Sequence, residues 1–164
     1  MRKYILLIIL ASILVPAFSQ KVEHRKDEFT GDEITGTTYV NIGDGFVCAI
    51  RIINNNPPVL LVTYNCGHEM YAMEKDAAFM LKLQNDSIIT LKNLEYREGE
   101  YWRFNSSNIW HYNLNTEYIL SHEDINHLKT TPITTVRFYT TSGYIERKVS
   151  KGNAKKLLKL FNLI

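Results

Sequence analysis

Ser121 to Leu128 reads SHEDINHL, two histidines set around acidic residues in the manner of a zinc-protease helix. Such a helix needs its ligand imidazoles at i and i+4, one turn apart, with a glutamate beside the first. His122 and His127 are five residues apart, so at about 100° per residue they diverge by about 140° around a helix. One helix cannot aim both at one ion. His127 does share a face with Glu123, but a histidine and a glutamate make only half of a tetrahedral site. A capping account uses every residue: Ser121 as N-cap, Glu123 and Asp124 at the positive end of the helix dipole, Ile125 and Leu128 turned inward. Asp124 stands where a capping box prefers glutamate. The stretch predicts a short structural helix near 121–129, with no metal and no cofactor called for.

Other chemistry is sparser. His68-Glu69 offers a general base and His111 lies between Trp110 and Tyr112, yet nothing in the sequence sets a nucleophile beside either. There is no Gly-x-Ser-x-Gly elbow, phosphate loop or dinucleotide fingerprint. The GDG at Gly43–Gly45 lacks the Asp/Asn ladder and closing glutamate of a calcium loop and reads as a turn. Paired carboxylates for glycoside chemistry are a spatial arrangement that spacing does not reveal. The densest functional signal is aromatic: Tyr101, Trp102, Phe104, Trp110, Tyr112 and Tyr118, interrupted by NSSN. Tyr101, Trp102, Trp110 and Tyr112 are the candidate binding residues, since indole and phenol rings join an apolar face to a hydrogen-bonding edge and stack on sugars. Cross-strand pairing inside a sheet is the simpler account of the same rings.

The elements that must position these residues begin with an address. MRKYILLIILASILVPAFSQ opens with Arg2 and Lys3, continues in an apolar run of about 12 residues, and ends in Ala17-Phe18-Ser19. The run is too short for a bilayer core of ~30 Å, and the small residues suit signal peptidase. Residues 1–19 therefore read as a cleaved export signal and residues 20–164 as a single β-rich domain, exported to periplasm or cell surface without a stable membrane anchor. Of 19 basic residues, Arg2 and Lys3 leave with the signal, so 17 face 17 acidic ones. That balance argues against a nucleic-acid partner. Basic residues gather towards the end, at Arg147, Lys148, Lys151, Lys155, Lys156 and Lys159. Cys48 and Cys66 flank an expected hairpin, FVCAIRII and VLLVTYNC around NNNPP, which sets Cys48 opposite Tyr64 or Cys66. In an oxidising compartment they are a candidate disulfide worth ~3 kcal/mol.

Downstream, AAFMLKL and IITL form an expected hairpin around NDS, and PITTVRFYT and YIERKV another around Ser142-Gly143. In the latter, Val136, Phe138, Ile145 and Val149 share one face, with Glu146 diagonal to Arg137. Ser150 then caps a C-terminal amphipathic helix that buries Ala154, Leu157, Leu158, Phe161 and Ile164. The polar start, QKVEHRKDEFTGDEITGT, reads as loose up to Phe29. These signals predict an α+β fold: a twisted antiparallel sheet of about seven to nine strands with two helices.

KDEFTG soon after the signal, the AAFMLKLQNDSIITL hairpin and the ending YILSHEDINHLKTTPITTVRFYTTSGYIERKV resemble small exported proteins of uncharacterised function from Bacteroides-like bacteria. The resemblance implies a periplasmic or surface location and supplies no catalytic residue. The function expected is a non-enzymatic binding module for a protein or carbohydrate partner. The alternatives are a small periplasmic hydrolase using His68 or His111, and an inhibitor or immunity-type protein that docks a sheet face into an enzyme cleft.

Overall fold

The structure, a computed structural model, describes residues 20–103 and 110–164. The expected export signal, Phe104 and the NSSN turn lie outside the described residues. The α+β class holds: the described chain is mostly antiparallel sheet with two helices. Its strands are β1 Val22–Lys26, β2 Glu33–Thr37, β3 Val40–Gly43, β4 Phe46–Ile53, β5 Val59–Gly67, β6 Ala72–Met73 and β7 Ala78–Leu83. They continue as β8 Ile88–Lys92, β9 Arg97–Glu98, β10 Glu100–Arg103, β11 Trp110–Ile119, β12 Ile133–Thr140 and β13 Gly143–Lys148. Helix α1, His122–Thr130, precedes β12, and α2, Lys151–Phe161, follows β13.

The strands do not make the one sheet expected. They divide into a seven-stranded sheet (β1-β2-β4-β5-β11-β10, with β3 also on β4), a four-stranded sheet (β13-β12-β7-β8) and the short β6-β9 pair. Two sheets are needed because both hairpins of the smaller sheet and all the long strands of the larger carry one apolar face, and each face must be covered by another. Phe46 and Tyr64 of the large sheet stack at 4.4 Å and both meet Phe138 of the small one edge-on, at 5.1 and 5.3 Å. Phe79 stacks on Tyr118 at 4.9 Å across the same interface. Leu157 and Phe161 of α2 close the layer against Ile42, Cys48, Leu60 and Val136, leaving a void of only about 10 Å³. That is at the lower limit of what a single water needs, so helix and sheets close tightly here.

Several local expectations change register. The polar start is not loose: Val22–Lys26 pairs with Glu33–Thr37, and the turn between them is closed by the Asp27 carboxylate, which accepts the N–H groups of Phe29 and Thr30 at 2.9 Å each. Those bonds hold the Asp27 carboxyl below its ordinary range. The last hairpin turns at Thr141-Ser142, with Gly143 following at φ 124°, and this sets Glu146 directly opposite Arg137 rather than diagonal to it. In α2 the inward residues are Ala154, Leu157, Leu160 and Phe161, so Leu160 replaces the expected Leu158. The GDG turn is a run of positive φ at Gly43, Asp44 and Gly45. A Cβ on Gly45 would meet the Asn65 carbonyl at 3.2 Å.

A buried amide sits at the seam between the two sheets. Asn93, 1% exposed, bridges to Tyr118 of β11, and its side-chain N–H groups donate to the carbonyls of Glu74 and Glu95. Asn93→Ala would remove the amide donor from the Glu95 carbonyl and leave the Glu74 carbonyl with the Ala77 N–H alone, at a cost of about 1 kcal/mol. Urea denaturation checks this, with Asn126→Ala on the exposed face of α1 expected within about 0.5 kcal/mol of the parent.

Candidate functional site

The opening stretch folds as a cap. Ser121 Oγ accepts the Asp124 N–H at 3.1 Å while the Asp124 carboxylate accepts the Ser121 N–H at 3.0 Å, so the aspartate closes a full capping box. His127 reaches Glu123 at 3.9 Å, one turn back on the exposed side. Ile125 and Leu128 are buried. Among the described residues no three His, Cys, Asp or Glu side chains cluster as metal ligands.

The cysteines are not bridged; both are free and buried. The register explains it. Cys48 sits opposite Val62, not Tyr64 or Cys66, because the 54–58 connection pairs Arg51 with Val59. Cys66 lies four residues further along β5, about 13 Å at ~3.3 Å per residue, well beyond the Cα separation a disulfide spans. Burial pushes the Cys48 thiol up to about 12 and the Cys66 thiol up to about 11.

Of the candidate rings, Tyr101 and Tyr112 face one another across the β10-β11 pair. Tyr101 is exposed at 68%, and Tyr112 is half-buried and packs on the core. Trp102 and Trp110 belong to the same strands by their backbones, and their rings lie outside the described atoms. The fold also joins His68 and His111, whose rings stand 5.0 Å apart, a neighbourhood the sequence did not link. Glu69 accepts the Tyr71 hydroxyl, which raises the Tyr71 phenol above its ordinary range.

A further group of concavities lies elsewhere, on the outward face of the seven-stranded sheet and between its edge and α2. Alternation on β4 sends Phe46, Cys48 and Ile50 inward and Ala49 and Arg51 outward. Their outward neighbours across the sheet are Gly36 beside Arg51, then Leu61 and Glu117 in line with Ala49, then Thr63 opposite Asn115. Glycine and alanine lower the floor here. Strand β2 hands its place on β4 to β3 at this point, and Thr37 Oγ1 accepts the Ile50 N–H at 2.9 Å in place of a backbone partner. Thr38 is pinned to Lys21 by bonds of 3.0 and 3.3 Å. Between these anchors and the inward Val40, Tyr39 is left standing outward, 60% exposed.

Three hollows meet at that ring. One, about 170 Å³, runs over Gly36, Ala49 and Leu61 beneath Arg25 and Arg51. The second, about 190 Å³, is walled by Arg51, Arg97, Asn115 and Glu117. The third, about 720 Å³, lies between Tyr39 and α2, with Gln20, Lys156, Lys159 and Leu163 around it. Glu117 lies between two arginines: Arg51 Nη2 is 3.0 Å from one carboxylate oxygen and Arg97 Nη2 3.8 Å from the other, while Arg97 pairs more closely with Glu95. Thr63 donates to Asn115 at 2.7 Å. Glu117 thereby helps to hold the Arg51 guanidinium in place. The arrangement suits binding: one stacking ring among planar, hydrogen-bonding side chains on a rigid floor.

Nothing in the spacing of Tyr39, Arg51, Arg97 and Glu117 announces this site, because long-range strand pairing and the packing of β9 on β11 bring them together. The only local signal is the TTYVNI alternation, which leaves Tyr39 opposite in phase to Val40. Comparison with known proteins adds no identity: no family model, no curated protein and no solved structure matches the chain.

The thiols give a test with a definite sign. Unfolded cysteines release their protons near the ordinary value of 9.0 and the folded ones do so only near 11 and 12, so above pH 9 the unfolded state binds fewer protons and stability falls. Full stability below pH 9 and a decline towards pH 11 are expected in chemical denaturation. Cys48→Ala should flatten that decline by on the order of 1 kcal/mol per pH unit. Thiol titration without reductant should find two reactive cysteines after denaturation and very slow reaction before it.

Proposed function

We propose that this protein is an exported binding module, without catalysis of its own, whose outward sheet face takes a carbohydrate. The single observation that supports the reading most is the set of hollows meeting at Tyr39. An exposed ring offers a flat apolar platform for the C–H face of a sugar. The guanidinium groups of Arg51 and Arg97 and the Asn115 amide offer planar hydrogen-bonding groups suited to pairs of hydroxyls, with the Thr63 hydroxyl beside them as an acceptor. Their floor belongs to the long central strands, so the groups are pre-positioned and little ordering is needed on binding.

The export reading rests on residues 1–19, with Arg2 and Lys3 ahead of the apolar run, and on the resemblance to small exported proteins of Bacteroides-like bacteria. Both favour a periplasmic or surface location, where glycans are the common large ligands. Tyr101, with Tyr112 opposite it, remains a second place where a sugar could stack, at the edge strand of the same sheet. A glycan in the periplasm or on the cell surface is the partner proposed, in preference to a protein.

A glycan array followed by calorimetry tests this. Tyr39→Ala should weaken binding of the best array ligand about 10-fold, roughly the loss of one ring's stacking contribution. Arg51→Ala should do at least as much, while Tyr139→Ala on the other sheet should leave affinity unchanged. Binding untouched by Tyr39→Ala and Arg51→Ala, in variants that keep the parent's circular dichroism, would move the site away from this face.

A further inference from the structure

Resting on the carbohydrate reading, we infer that the ligand is an acidic oligosaccharide carrying carboxylate groups, and that it runs from the sheet hollows past Tyr39 into the cleft beside α2. The three hollows adjoin at Tyr39, which lines all of them, and Arg51 and Leu61 line two. The charge along that path is uneven. Over the sheet, Arg25, Arg51 and Arg97 are accompanied by Glu23 and Glu117. Beyond Tyr39, the large cleft is lined by Lys156 and Lys159 and by no acidic residue.

These two lysines stand on adjacent turns of one helix face, and α2 contains no acidic residue to neutralise them. Both are exposed, and neither forms an ion pair with any described residue. The cleft is also held in shape. Asn162 donates to the carbonyls of Lys129 and Leu158, Lys129 donates to the Ile164 carbonyl at 2.9 Å, and Gln20 donates to the Lys156 carbonyl at 2.7 Å. The C-terminal half of α2 is thereby fixed against both α1 and the start of β1.

The class of anion follows from where the lysines sit. Lys156 sits at the middle of α2 and Lys159 in its last turn, away from the helix N-terminus where phosphates are preferentially held. A compact, strongly hydrated ammonium pairs well with a singly charged, equally compact carboxylate. A nucleic acid would bring a phosphate at every residue, including over Glu23 and Glu117, where the path is least basic. A sugar chain with carboxylates leaves its neutral rings and hydroxyls for Tyr39, Asn115 and Thr63.

Calorimetry with the purified protein against a panel of uronic-acid oligosaccharides, each paired with its methyl ester, separates charge from sugar. The tightest ligand should be an acid whose methyl ester binds at least about 10-fold more weakly, equivalent to about 1.4 kcal/mol. The double variant Lys156→Gln/Lys159→Gln should erase that difference while leaving the ester's affinity within about twofold. Raising salt should weaken the acid and not the ester. If an acid and its ester bind alike, or the tightest ligand is neutral, the inference falls and the carbohydrate reading stands. Tighter binding of a sulfated heparin oligosaccharide or a dT oligomer also overturns it. If no member of the panel and no glycan on the array binds, the carbohydrate reading falls with it.

Discussion

The pairing of β4 with β5 fixes both the interior and the outward face. Phe46 opposite Tyr64, Cys48 opposite Val62 and Arg51 opposite Val59 decide which side chains enter the core and which meet solvent. Because side chains alternate along a strand, a slip of one residue would exchange the two sets. Phe46, Cys48 and Ile50 would leave the core, and Ala49 and Arg51 would enter it. Burying Arg51 without Glu117 would cost several kcal/mol, whereas Phe46 in its present place makes two ring contacts at once. The turn at 54–58 helps to hold the register, with Asn54 and Asn55 at positive φ and Pro57-Pro58 stiffening the approach to β5.

From that register the rest is built outward in order. The inward face of β4 and β5 needs a cover, which the β7-β12 pair and α2 supply through Phe79, Phe138, Leu157 and Phe161. The outward face carries Gly36 and Ala49 on adjoining strands, diagonal to one another, and is low there. Its concavity is a consequence of small residues at two adjoining strands. Tyr39 stands over it because β2 and β3 share one edge of β4 and the chain must step between them. Interior packing, the trough and the ring thus share one cause.

What the sequence made legible was local. Ser121 and Ser150 cap helices as their neighbours require, the β7-β8 hairpin has its buried alternation, and Val136 and Phe138 face inward. Failures occurred where a long-range choice outweighed a local one. VEHRK looks too charged for a strand, yet its backbone pairs with β2 at an edge, where exposed charge is tolerated and discourages further pairing. Cys48 and Cys66 looked close because a hairpin turn was placed one or two residues away from its true centre. A count of seven to nine strands described one sheet, whereas two apolar faces had to cover one another. The functional face was the least legible of all. Tyr39, Arg51, Arg97 and Glu117 come from four separate stretches, gathered by the strand order β2-β4-β5-β11 and by the packing of β9 against β11.

The claim that one register both closes the core and sets the binding face outward is tested most directly by residue-resolved NMR during addition of a uronic-acid tetrasaccharide. The account predicts cross-strand contacts of Cys48 with Val62 in the free protein. On titration, amide shifts should concentrate at Gly36, Tyr39, Ala49, Leu61 and Glu117, with Ile50, Leu60 and Val62 little changed. Contacts pairing Cys48 with Tyr64, or shifts gathered at Tyr101 and Tyr112 with the Tyr39 face silent, would contradict it.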